Sequence, residues 1–188
     1  MINRELFYKI FKQTPELDFL FDKIDKSETI NRLSWVAYIL ATIKHETANT
    51  FKPITELGSQ KYLTQKRYYP YIGRGYVQLT WDFNYRKFGK LLNIPLLEHP
   101  ELANEPETAW KILEVGMVQG LYTGKKLSDY LNDTEMDFYN ARKIINGLDQ
   151  ATTIKFYAGQ YFQALEWIDQ ARAVNGKDTE HEGGKKAT

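Results

Sequence analysis

The sequence predicts a mainly α-helical domain. Apolar residues recur at helical spacing over 29–47, 108–121 and 152–173, and no stretch alternates apolar and polar residues for more than a few positions. Proline and Asn-Gly steps fall between the periodic segments, where helices end. With 188 residues, 43% of them hydrophobic and 26% charged, the chain is long enough and apolar enough to bury one sizeable core.

Leu6, Phe7, Ile10 and Phe11 predict a short amphipathic helix that Thr14-Pro15 ends. A second short helix follows through Leu17, Phe19-Leu20-Phe21 and Ile24. The third and strongest helix runs from about Thr29 to Thr47, with Ser27 or Thr29 as its cap. Leu33, Val36, Leu40 and Ile43 form its apolar stripe, with Trp35, Ile39 and Thr42 beside it. The same spacing carries Glu46 to the edge of the buried face, stacked over Ile39 at the helix's C-terminal end. Desolvation and the negative end of the helix dipole both disfavour a carboxylate there, so Glu46 is expected to hold its proton.

From Ala48 to Ile72 the periodicity disappears. Pro53, Gly58 and Pro70 mark loop, and Tyr62, Tyr68, Tyr69 and Tyr71 crowd it. Gly73 and Gly75 allow a tight turn before a brief extended segment, Tyr76 to Leu79. Helix returns over Phe83 to Leu92 and stops at Asn93-Ile94-Pro95. Further helices are expected over Thr108 to Leu121, Leu127 to Leu131, Thr134 to Ile145 (stopped by Asn146-Gly147) and Thr152 to Ala173. Residues 1–173 are expected to form one domain, with 1–28 as N-terminal helices packed on it, and the polar 174–188 a disordered tail.

Composition removes several classes of function. There are 25 basic and 24 acidic residues, so nothing electrostatic favours nucleic acid or a membrane surface as a partner. With no cysteine there is no disulfide scaffold, thiolate metal site or cysteine nucleophile. The opening Met1-Ile2-Asn3-Arg4-Glu5 lacks a basic-then-apolar leader, and Leu33 to Ile43 is too short to span a bilayer. Synthesis in the cytoplasm is therefore expected, with any extracellular target reached by release.

His45-Glu46 begins like a zinc-binding HExxH helix, but the fifth position is Asn49, so no metal is expected. The stronger pattern is a pair of carboxylates, Glu46 on a helix end and Glu56 on the loop beyond it. Cleaving a glycosidic bond needs an acid on the leaving oxygen and a base or nucleophile on the opposite face of the ring. Gln78, Thr80 and Asn84 stand beside the Gly-Arg-Gly turn, where they serve either a substrate or the backbone. Arg74 either pairs with a carboxylate or braces the loop, and Asn146 either caps a helix or binds a ligand. The tyrosines either stack on sugar faces or line the loop's own core.

Taken together, four ordered blocks resemble glycoside hydrolase family 19, which contains chitinases and the lysozyme-like endolysins of bacteria and phages. They are His45-Glu46-Thr47, then Glu56, then Gly73-Arg74-Gly75-Tyr76-Val77-Gln78-Leu79-Thr80-Trp81 with Asn84-Tyr85, and finally Ile144-Ile145-Asn146-Gly147. The resemblance covers roughly Leu33 to Leu165. It implies a lysozyme-like, two-lobed helical domain with a cleft, and inverting hydrolysis. Glu46 would be the general acid, Glu56 the general base, and Thr80 would help hold the attacking water. Gln78, Asn84 and Asn146 match sugar-binding positions, and His45, Tyr69 and Arg74 complete the expected substrate-binding set. No cofactor is implied, and a monomer is expected. Gly75-Tyr76 replaces the Gly-Pro of plant-type chitinases, and Phe83 replaces a tyrosine, which places the chain nearer the bacterial and phage branch. The expected activity is therefore muramidase-type cleavage of the β-1,4-linked peptidoglycan backbone. The alternatives are a chitinase, or a catalytically silent glycan-binding domain of the same fold.

Overall fold

A computed structural model describes residues 1–168. Its helices are α1 (Arg4–Tyr8), α2 (Pro15–Lys26), α3 (Leu33–Glu46), α4 (Gln60–Thr64), α5 (Asp82–Leu92), α6 (Pro106–Gln119) and α7 (Ala151–Ala164). Two short strands, β1 (Ile54–Thr55) and β2 (Arg74–Gly75), pair antiparallel with Ile54 opposite Gly75. The mainly α expectation holds.

α3 is the axis of the fold. From Trp35 to Ile43 every residue is buried, so the helix is enclosed on all sides and not only along the expected stripe. α7 packs along it through Ile154, Ala158 and Tyr161, and the N-terminal segments add Phe7, Leu20, Phe21 and Ile24 to the same core. A second, smaller core gathers Leu79, Tyr85, Phe88, Leu96, Ala103 and Ile112 around α5. These two cores make two lobes. The β1–β2 ladder and α6 run between them, since α6 contributes Ala109 and Leu113 to one core and Ile112 to the other.

Several local expectations are corrected. α3 starts at Leu33, not Thr29, and no side chain caps it. Ser27 instead ends α2 and accepts from the Ile30 N–H, while Thr29 donates to Glu114. The loop after α3 contains β1 and α4, whose cap Ser59 accepts from the Tyr62 N–H. The extended residues are Arg74 and Gly75; Tyr76 to Leu79 instead turns back so that Arg74 bridges Leu79. Leu127 to Leu131 supplies only a 3-10 turn, Leu127–Asp129. The helix expected over Thr134 to Ile145 is absent. Leu131 bridges Met136, and only Asn140–Ile144 coils, as a 3-10 turn held by Asp137 accepting from the Asn140 backbone and side chain.

α7 also ends before the expected Ala173. Its chain straightens at Leu165 because Trp167 bridges Ile2, with Asn3 N–H donating to Glu166 and Ile168 N–H to Met1. The rest of that expected helix, and the expected tail over 174–188, lie outside the described residues. Among the described residues, no helix is long and apolar enough to cross a membrane.

Candidate active site

Glu46 is the last residue of α3. Its Oε1 accepts from Arg142 Nη1 at 2.7 Å, with the glutamate side chain 16% exposed and the arginine side chain 4%. Arg142 comes from the 3-10 turn and is itself oriented by Nε donating to Asp149 O at 2.9 Å. To the burial and helix end expected around Glu46 the structure adds a guanidinium that shares its site. Sequence reading missed Arg142. The available signal was its place two residues before the Ile144-Ile145-Asn146-Gly147 block, but nothing local announces a buried arginine's partner.

Beyond Glu46 the chain is bent sharply. Thr47 is buried, donating to Ile43 O and accepting from the Phe51 N–H, so it caps the helix end and anchors the exit loop. Ala48, Asn49 and Phe51 all have positive φ, at 49°, 66° and 56°. Gln78 and Trp81, flanking Thr80, have φ of 54° and 75°. Left-handed conformations at non-glycine residues cost about 1–3 kcal/mol each and persist where the surroundings impose them. Here they fall on the segments that carry the expected acid and the expected water-holding residue.

Glu56 follows β1 and is fixed by two donors. Tyr68 OH reaches Oε1 at 2.8 Å and Gly73 N–H reaches Oε2 at 3.1 Å. Burial first, and the Glu56 carboxylate second, raise the Tyr68 phenol above its ordinary value, which keeps it a donor. Gln78 Nε2 donates to Ile54 O at 3.0 Å, tying the turn to β1 beside Glu56. Thr80 Oγ1 donates to Gln78 O and Asn84 Nδ2 donates to Thr80 O, at 2.8 and 2.9 Å. Gln78, Thr80 and Asn84 thus form one chain of bonds, with one amide N–H each of Gln78 and Asn84 used on the backbone.

The remaining expected residues divide. Arg74 braces its loop, donating to Pro70 O at 3.1 Å and Tyr85 OH at 3.0 Å, and no carboxylate among the described residues pairs with it. Tyr69 is 44% exposed. Asn146 is exposed and accepts from the Gly147 N–H in its own turn. His45 is half-buried and faces a recess shared with Lys44, Ala48, Asn49 and Tyr157. No cluster of metal-ligating side chains occurs among the described residues.

Two further features went unread in the sequence. Asn104 holds the β-ladder, its Oδ1 accepting from Gly75 N–H and its amide donating to Thr55 Oγ1. An aromatic row extends from Glu56, with Tyr68 edge-on to Trp81 at 5.2 Å and Trp81 stacked with Phe83 at 6.2 Å between centroids. Trp81 and Phe83 are both exposed. The signal was present as a cluster of aromatics, but exposure is what distinguishes a platform from a core.

No protein-family model matches the chain. Among curated proteins it is 36% identical over 83 residues to an endochitinase of Arabidopsis thaliana, covering 40% of this chain and 29% of that protein. It is 38% identical over 82 residues to the basic endochitinase CHB4 of Brassica napus, covering 39% of this chain and 30% of that one. The matches thus span less than a third of these relatives' length. Among solved structures, chitinase C from Streptomyces griseus superimposes with a TM-score of 0.63 at 24% identity, over 85% of this chain and 90% of that one. A bacterial family 19 chitinase gives 0.57 at 21% identity, over 85% and 92%. Structural similarity at these identities shows the fold, which is the lysozyme-like helical one expected. In sequence over about 40% of the chain and in fold over 85% of it, the chain resembles glycoside hydrolase family 19.

Proposed function

We propose that this chain is a glycoside hydrolase that cuts a β-1,4-linked amino-sugar polymer by general acid–base catalysis, with peptidoglycan as the polymer. The observation that carries the reading is the contrast between its two carboxylates. One ends the central helix beside a buried guanidinium, and the other sits on a loop between a phenol and a backbone N–H.

Glu46 acts as the acid. Arg142 engages Oε1, so Oε2 is the oxygen that carries the proton to the glycosidic oxygen. Once the proton has left, Arg142 stabilises the carboxylate that remains, so the pair favours the product of proton transfer. Glu56 acts as the base. Tyr68 and Gly73 each occupy one lone pair and leave others to take a proton from water. Thr80 has its own proton committed to Gln78 O, so its oxygen accepts from the same water and orients it. With the acid and base on opposite faces of the sugar, one displacement inverts the anomeric centre. Trp81 and Phe83 provide apolar faces for further rings of the polymer.

The departures at Tyr76 and Phe83 from the plant pattern favour peptidoglycan. The names of the relatives, endochitinases and chitinases, favour chitin as the second reading. Reducing-end analysis of digests of purified cell wall and of N-acetylglucosamine oligomers separates the two. Release from wall is expected, and should fall by about 100-fold or more in Glu46→Gln with glycan binding retained. Activity on chitin alone removes the muramidase assignment. An unchanged rate in Glu46→Gln removes the acid.

A further inference from the structure

At the same end of α3 as Glu46, the surface opens into a recess of about 420 Å³ lined by Lys44, His45, Ala48, Asn49 and Tyr157. Its polar groups can each donate a hydrogen bond, and one is charged: an ammonium, an imidazole, an amide and a phenol. No acidic residue lines it, and among the described residues no carboxylate pairs with Lys44. The Lys44 ammonium lies instead 4.6 Å from the Tyr157 ring centre, held by the aromatic face with its N–H groups unspent on any anion. The helix-end carbonyls that would repel an anion are themselves occupied. Lys44 O accepts from the Asn49 N–H at 2.8 Å and His45 O from the Ala48 N–H at 3.3 Å. Ala48 and Asn49, both at positive φ, hold the far wall in a conformation that alanine adopts only at a cost.

From this we infer that the recess binds a carboxylate carried by the glycan, namely one on the peptide stem that substitutes alternate sugars of peptidoglycan. The inference rests on the glycosidase reading above and names the substituent that its substrate carries. Reach is consistent with it. Lys44 and Glu46 are two positions apart on a helix, about 200° around its axis, so their side chains emerge on opposite sides and the path round the helix between them is roughly 16–19 Å. An extended peptide covers about 3.3–3.6 Å per residue, so a stem of about five residues spans from a sugar at Glu46 to the recess. A chitin chain, which has no carboxylate, has nothing to place there. Lys44 thus acts as a specificity residue and leaves the bond-breaking step to Glu46.

The test compares two substrates from one source: intact peptidoglycan, and the same glycan stripped of its stems by an amidase. In the full-length protein, Lys44→Met is expected to lower turnover of intact peptidoglycan about tenfold at sub-saturating substrate, raising KM and leaving kcat. Turnover of stripped glycan should be unchanged, and Lys44→Arg should restore most of the loss. Equal losses on both substrates, or no loss on either, would overturn the inference, leaving Lys44 as a cation that merely complements the helix end. Should the wild-type protein cut chitin and leave peptidoglycan intact, the proposed polymer is wrong, and the recess is then judged by binding. A stem tripeptide with free carboxylates, titrated by NMR, should shift the resonances of Lys44 and Asn49 in the wild type and not in Lys44→Met. Absence of any shift in the wild type rejects the site.

Discussion

Arg142 Nη1 lies 2.7 Å from Glu46 Oε1, although 96 residues separate them in sequence. The pair fastens the end of α3 to the turn that leads into α7, and neither side chain has much solvent to retreat to. Removing Arg142 leaves a nearly buried Glu46 oxygen without its hydrogen-bond donor, which costs about 1–3 kcal/mol. Arg142→Ala is expected to lose that stability in urea unfolding and to lose most turnover with it. Arg142→Lys keeps the charge but not the bond to Asp149 O, so it should retain more stability while kcat still falls. An Arg142→Ala protein as stable as wild type would show that the pair holds nothing.

Tyr68 offers a cleaner test of the proposed base, because its hydroxyl donates directly to the carboxylate at 2.8 Å. Tyr68→Phe removes one of two donors on Glu56 and keeps the ring against Trp81. Loss of a hydrogen bond to a charged group is worth about 1.5–3 kcal/mol, so kcat should drop roughly 10- to 100-fold. Substrate affinity should change little. Matched steady-state kinetics check this, and an equal fall in affinity would make Tyr68 a sugar contact instead.

Gly75 is required by two independent constraints. Its φ is +85°, and a Cβ built there would sit 2.9 Å from Ala103 O, a backbone atom that cannot swing aside. The residue also donates to Asn104. Gly75→Ala is expected to cost about 2 kcal/mol or more, since the left-handed penalty alone is ~1–2 kcal/mol. Thermal melting would show it, with the β1–β2 segment exchanging amide protons faster than the α3 core.

Acid stability should depend in part on Asp137. The Asn140 backbone N–H, and then its side chain, hold this carboxyl below its ordinary value of 3.8. A depressed value in the folded state means that the contribution is present above the unfolded value and is lost as pH falls through the folded one. Because the group is largely solvated, the effect is expected to be no more than about 1 kcal/mol. Asp137→Ala should therefore be less stable than wild type at pH 6, and the gap should narrow as pH falls below 3.8 and close once it passes the lower folded value. A gap that persists in acid would assign the loss to packing.

Helical periodicity located α3, α5 and α6 to within a few residues because each is a long segment whose burial repeats with the turn. It failed at 134–145. That stretch is apolar enough for a helix, but Asp137 and the Leu131–Met136 bridge capture its backbone first. It failed again after Ala164, where Ile2 competes for the chain's hydrogen bonds. Both outcomes depend on partners distant in sequence, which a local pattern does not contain.

For the candidate site, order and residue type named Glu46, Glu56, Gln78, Thr80 and Asn84 as the proposed residues, because a helix end and a glycine turn are local matters. Only the tertiary structure brought Arg142 to Glu46, turned Arg74 inward as a brace, tied Tyr68 to Glu56 and left Lys44 facing a recess lined by donors. A charge's role is set by what faces it across space, and packing between segments far apart in the chain decides that.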